Sequence, residues 1–272
     1  MSQKKERKTD EEKQQIVLDL VMMDDAMFEA MCEEPKVLEE MIQTILGNSK
    51  LRIKEETVVA QKSIRNLKGR SIRMDAYFEG MEDEVFNIEI QRSNNCNHVK
   101  RVRYNASVIT ANNSEPGDKF EDVQELCVIY ISEKDIFHYG RTIYHVQSTI
   151  QENGQVIDNG LKEIYVNTEV KDGSKISDLM DMFHKKELDE IDKGRFPNTY
   201  KKFHSLKHDK EEVEKMCDKI ERYAKKEAII SSIVSYDDCG LDKAEIIKKI
   251  MERFDLSQKD ALLYYDEVFV TQ

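Results

Sequence analysis

The order of hydrophobic patterns predicts an α/β fold with a helical C-terminal extension. Three observations carry this. Helical spacing dominates the first part of the chain. Strand-like runs cluster in the middle, around one helical stretch. Beyond Lys175 the pattern is almost wholly helical.

In order, residues 1–12 read as a charged, flexible tail. Over residues 14–33 apolar side chains recur at helical spacing (Ile16, Leu20, Met23, Met27, Met31). Pro35 starts a second helix, a favoured place for proline, and Gly47 ends it. Residues 51–62 read as extended, Gly69-Arg70 as a turn, and 71–79 and 85–91 as strands. Residues 97–112 predict a helix with Val99, Val102, Ala106 and Ile109 on one face. Pro116-Gly117 marks a loop. Strand-like runs follow at 126–132, 142–150 and 163–167, the last two separated by Asn153-Gly154. Helices close the chain at 211–234, 242–254 and 258–268, with Ser257 placed to cap the last. This organisation gives a tail (1–12), a main domain (13–205) and a helical extension (206–272). A strand–strand–helix–strand succession places the third strand beside the hairpin.

Composition narrows the function. The chain has 272 residues, 35% of them charged, and a net charge of −12. That balance excludes a general nucleic-acid coat, whose affinity comes from many Lys and Arg. The charge is uneven, however: residues 50–73 hold eight basic side chains against two acidic ones, and Lys100, Arg101 and Arg103 follow. Such a strip can hold a phosphodiester locally, although solvated helix faces look the same. Five cysteines (Cys32, Cys96, Cys127, Cys217, Cys239) show neither pairing nor zinc spacing, which points to free thiols in a reducing compartment. The N-terminus lacks an apolar signal region, and no stretch approaches the roughly 20 apolar residues of a membrane span. The expectation is a cytoplasmic protein without a membrane partner.

The chemistry concentrates in residues 75–91. Asn87, Glu89 and Gln91 alternate along one strand and share a face, while Phe86, Ile88 and Ile90 share the other. A five-residue loop over 80–84, with Gly80 supplying the awkward backbone angle, pairs Glu79 with Val85. Tyr77 then faces Asn87, Asp75 faces Glu89 and Arg73 faces Gln91. Opposed carboxylates repel unless something cationic lies between them. Oxygen donors converging from two strands suit a hard divalent cation. The plainer reading is the wet face of an antiparallel strand.

Several blocks resemble one family. Asn66-Leu-Lys-Gly-Arg-Ser-Ile-Arg-Met-Asp75 resembles its lead-in to a first acid, and Asn87-Ile-Glu-Ile-Gln-Arg92 its second strand. Lys100-Arg101-Val102-Arg103-Tyr104 resembles its next helix, and blocks at 115–122, 128–132, 143–145 and 164–167 follow in order. The chain is identified as similar to the PD-(D/E)xK nucleases, in the branch of nuclease-family transposases and recombination-promoting nucleases. The resemblance spans roughly residues 20–205. It implies a restriction-endonuclease-like core, a mixed central sheet flanked by helices, and a DNA nuclease site using Mg²⁺, with Mn²⁺ able to substitute.

On that resemblance Asp75 and Glu89 are metal ligands, the Ile90 carbonyl a third, and Glu39 the early-helix acid, with Glu40 close by. Gln91 stands where much of the superfamily has lysine, as is usual in this branch, and Met74 where it has proline. Gln91 can only hydrogen-bond, so Lys100 or Arg101 is expected to bring the missing charge, and Lys100 is the catalytic candidate. Arg73, Arg101, Arg103 and Tyr104 are candidate nucleic-acid contacts. Basic residues early in a helix oppose its dipole and call for a nearby anion. DNA is the expected partner, with a homodimer through the C-terminal helices. The mixed, partly acidic charge of 242–268 favours an interaction module over a DNA-reading helix-turn-helix. Two other readings fit the residues: a non-catalytic binding protein on the same fold, and a nuclease for RNA or damaged DNA.

Overall fold

The computed structural model describes residues 9–64, 72–92 and 98–269. Among these the chain forms two compact units. One holds the described residues of Met1–Lys62 and Arg73–Met216, the other those of Ser63–Ile72 and Cys217–Gln272.

The first unit is built on a six-stranded mixed sheet in the order β1-β2-β3-β4-β8-β5. Its strands are β1 (Val59–Ile64), β2 (Ile72–Glu79), β3 (Val85–Gln91), β4 (Leu126–Ser132), β5 (Ile143–Val146) and β8 (Leu161–Asn167). β2 and β3 are antiparallel, with Tyr77 opposite Asn87 and Glu79 opposite Val85, the expected register. The helix α4 (His98–Asn112) carries the chain across to β4, which runs parallel to β3. β8 is parallel to β4, and β5 closes the sheet antiparallel to β8. The run at 142–150 does not stay whole. It breaks at Gln147, and β6 (Ser148–Thr149) pairs with β7 (Val156–Ile157) in a separate two-stranded ribbon.

Every residue of β4 is buried, as expected of a parallel strand covered on both faces. The hairpin differs from expectation in one respect. Asp83, not Gly80, takes the left-handed angle, at φ +67°. Gly80 is required for space: a Cβ there would lie 2.4 Å from the Glu84 carboxyl carbon.

The helical layer begins with α1 (Asp10–Asp19), opened by a capping box between Thr9 and Glu12, so the helix starts earlier than the periodicity suggested. The helix expected over 14–33 is two: α2 (Asp25–Cys32) follows after a break at residues 20–24, where Asp24 accepts from the Val21 amide. α3 (Pro35–Ile45) starts on its proline, and Gly47 follows it at φ +63°. α3 packs with α2, α5 (Lys175–Met182) and α7 (Pro197–His208). The short α6 (Glu190–Arg195) precedes α7.

In the second unit, residues of α8 (Lys210–Asp238), α9 (Lys243–Phe254) and α10 (Gln258–Phe269) share a core of Ile229, Ile233, Ile246, Ile250, Ala261 and Val268. Ser257 accepts from the Asp260 amide at the start of α10. The apolar stripes of α9 and α10 are thus used in packing onto one another and onto α8.

Candidate active site

Asp75 lies near the middle of β2 and Glu89 near the end of β3. The Asp75 carboxylate is held across the hairpin. Its Oδ2 accepts from the Ile90 amide at 2.9 Å and its Oδ1 from the Gln61 side-chain amide at 3.1 Å. Gln61, on β1, has φ +56°, an uncommon conformation for a residue other than glycine.

Glu89 is 1% exposed and Asn87 0%. The polar face of β3 is therefore dry, and the wet-strand reading does not hold. Glu89 Oε1 accepts from Asn87 Nδ2 at 3.3 Å. Its Oε2 is buried without a hydrogen-bond partner and lies 3.8 Å from Arg101 Nη2. Arg101, in the first turn of α4, also donates from Nη1 to Gln91 Oε1 at 2.5 Å. For Arg101, the acid that meets the basic start of α4 is Glu89.

Electrostatics follow from burial. Desolvation raises Glu89, the Asp75 charge raises it further, and Arg101, Asn87 and Asn105 pull against them, leaving it at about 8. Asp75 is raised to about 6, again chiefly by burial. The Ile90 amide, Gln61 and Arg101 oppose that shift, and the nearby Asp25 adds to it. Two carboxylates held against their preference for water form a site that favours a positive charge.

The other candidates fall as follows. Arg73 is half-buried on β2, two residues before Asp75 and on its side of the strand. Arg103 is exposed on α4 and Tyr104 half-buried. Lys100 is exposed, and the contacts with Gln91 and Glu89 belong to its neighbour Arg101. Glu39 has partners of its own. It accepts from the Ile53 amide at 3.2 Å and pairs with Arg52 at 3.6 Å. Ile53 is bridged to Gly80. That lies five residues beyond Asp75, on the order of 16 Å at the rise of a strand. Glu40 is committed to the start of α7, where it accepts from Asn198 and Thr199. Both glutamates of α3 thus have structural partners.

Four residues escaped the sequence reading. Asp25 sits at the start of α2, a boundary hidden when one helix was run through it. Gln61 gives no sequence signal. His98 and Asn105 lie three before and four after Arg101, so all three share one stripe of α4, a spacing the sequence did contain. His98 Nδ1 is 2.8 Å from the Tyr130 hydroxyl, and Tyr130 is the parallel-ladder partner of Glu89.

Among the described residues no group of three or more His, Cys, Asp or Glu side chains is close enough to hold a metal. Two carboxylates are nevertheless enough for Mg²⁺, which keeps several waters of its own. The buried, unpartnered Glu89 Oε2 is an oxygen donor of the required kind.

Sheet order, crossover helix and paired acids together define a restriction-endonuclease-like α/β protein with a C-terminal helical region. Residues 23–249 match the family model of the PD-(D/E)XK nuclease family transposases, and the chain belongs to that family. Neither a curated protein nor a solved structure matches it. The family is one of nuclease-type hydrolases, which generally use divalent metals and act on DNA. No helix among the described residues is long and apolar enough to cross a membrane.

Proposed function

We propose that this chain is a Mg²⁺-dependent DNA endonuclease linked to recombination or mobile elements. One observation carries the reading: a buried glutamate with an unpartnered oxygen on β3, near a second carboxylate on β2, in a chain of this family. A buried acid of this kind is costly in its charged form unless a cation joins it.

Asp75 and Glu89 would hold the metal, with the Ile90 carbonyl as a third oxygen. A bound divalent ion would neutralise charge on the phosphodiester and acidify the attacking water. The chain's own residues do the positioning. The Ile90 amide and Gln61 fix the Asp75 carboxylate, and Asn87 fixes one oxygen of Glu89. Arg73, Arg101, Arg103 and Tyr104 would contact the DNA backbone. Cutting both strands takes two sites, and a homodimer through the C-terminal helices would supply them. The setting is the cytoplasm.

The test is nicking of supercoiled plasmid with Mg²⁺ or Mn²⁺, comparing wild type with Asp75→Asn and Glu89→Gln. Metal-dependent nicking lost in both variants is the expected result. A folded wild type that neither nicks nor gains thermal stability from either metal would instead mark a binding protein on a nuclease fold.

A further inference from the structure

We propose that Arg101 is a catalytic residue: its guanidinium supplies a positive charge beside Glu89, and Gln91 is the residue that positions it. The inference rests on the nuclease reading above and adds to it which cation meets the scissile phosphate.

The geometry singles out Arg101. One Nη donates to Gln91 at 2.5 Å and the other lies 3.8 Å from Glu89. Successive helix residues turn by about 100°, so Lys100 and Arg103 project to other sides of α4. The Arg101 side chain is 44% exposed while that of Glu89 is 1% exposed. One part of the guanidinium therefore touches the buried acid, and the rest is open to an incoming substrate. A planar guanidinium can bind two phosphate oxygens at once, which an amide cannot. Gln91 holds the long side chain by its inner edge, so less freedom is lost when a phosphate arrives.

The position has a second consequence. A cation beside Glu89 competes with any metal that uses the same carboxylate. Arg101 should therefore weaken metal binding while speeding cleavage. A residue that merely supported the fold would affect both in the same direction.

The experiment uses the full chain, with Mn²⁺ as the probe. Mn²⁺ affinity is measured by calorimetry and plasmid nicking at saturating Mn²⁺, for wild type, Arg101→Met and Arg101→Lys. Circular dichroism checks that each is folded. Removing a unit charge a few ångströms from a divalent ion should tighten Mn²⁺ binding about tenfold. Nicking by Arg101→Met should fall about a hundredfold, the size expected when one charge-stabilising donor is lost. Arg101→Lys should recover part of the rate. A Gln91→Lys change added to Arg101→Met should also restore nicking, by returning charge to the spot where the guanidinium was anchored. Wild-type nicking by Arg101→Met, or weaker Mn²⁺ binding, overturns the proposal and leaves the nuclease reading intact. A wild type that neither binds Mn²⁺ nor nicks DNA overturns both, and is recognised from the wild type alone.

Discussion

Glu40→Ala should lower stability strongly and leave metal binding untouched. Glu40, on α3, reaches the start of α7 and does the capping that Phe196 cannot. Its Oε1 accepts from the Asn198 amide and side chain, both at 3.2 Å. Its Oε2 accepts from the Thr199 amide at 2.8 Å and hydroxyl at 2.6 Å. Thr199 is fully buried, so truncation strands two donors away from water. Hydrogen bonds to a charged acceptor are each worth roughly 1.5–3 kcal/mol. The two short bonds dominate, and the two long ones add little. The helix dipole favours an anion at this place as well. The expected loss is about 3 kcal/mol. At about 2–4 °C per kcal/mol for a domain of this size, the melting temperature should fall by about 6–12 °C. The assay is a thermal melt of the full chain in chelator and again with excess Mn²⁺. The increment that Mn²⁺ adds should be the same in wild type and variant, because the Glu40 carboxylate is taken up by Asn198 and Thr199. An unchanged melting temperature would refute the capping argument. A lost Mn²⁺ increment would return Glu40 to the metal site.

Three further outcomes are expected, all read by unfolding. Burial raises the Asp135 carboxyl, but the Tyr144 hydroxyl and the amides of Gly140, Phe137 and His138 outweigh it, so its pKa is lowered overall. Its folded form therefore binds fewer protons than the unfolded one. The stability it contributes is present above the ordinary carboxylate range and is lost as pH falls through the lowered pKa. Asp135→Asn should flatten the acid limb of a stability–pH curve, and an unchanged limb would refute this. Asp255 ends α9 at φ +53°. Asp255→Gly should therefore stabilise the second unit by about 0.5–1 kcal/mol, seen as greater hydrogen-exchange protection of α9; equal or weaker protection would count against it. Lys207 is fully buried, donates to the Leu18 carbonyl at 2.8 Å, and has its pKa lowered by burial. Here the unfolded chain binds more protons between the two pKa values. Stability attributable to this lysine should accordingly rise as pH climbs toward its ordinary range, and Lys207→Met should remove that slope.

The hairpin was legible because its signal is local. Alternation, a five-residue gap and two acids fix a register by counting, and Tyr77 does face Asn87. The place of β4 beside the hairpin followed from the strand–strand–helix–strand order; that it pairs parallel with β3 came from the structure. What failed was decided by tertiary contacts. A strand whose two faces look polar and apolar is buried at Asn87 and Glu89 as well, with Arg101 and Asn105 of α4 against Glu89. Helical spacing continues through residues 20–24, yet the backbone breaks there: the Asp24 carboxylate accepts from the Val21 amide and pairs with Arg92, just after β3. Glu39 and Glu40 look alike in sequence and differ only in which distant amide each meets. The choice between Lys100 and Arg101 required knowing the rotation of α4 over the sheet, and a run of adjacent basic residues does not contain it.

The proposed metal role of Glu89 has an energetic argument in β3. Its neighbours Phe86, Ile88 and Ile90 suit a covered strand, and an apolar residue at position 89 would suit it equally. Glutamate instead leaves Oε2 unpartnered, and Asn87 leaves Oδ1 unpartnered beside it. An unsatisfied buried polar atom costs about 1–3 kcal/mol, more when charged. Arg101 at 3.8 Å is too distant to be a hydrogen-bond donor and too exposed to offset that cost in full. Packing alone would remove both polar side chains and gain stability. Within this strand, the interaction that would make Glu89 favourable is a cation placed against its open oxygen and against Asp75. This is why the metal-binding measurement, rather than the cleavage assay, bears most directly on the origin of the site.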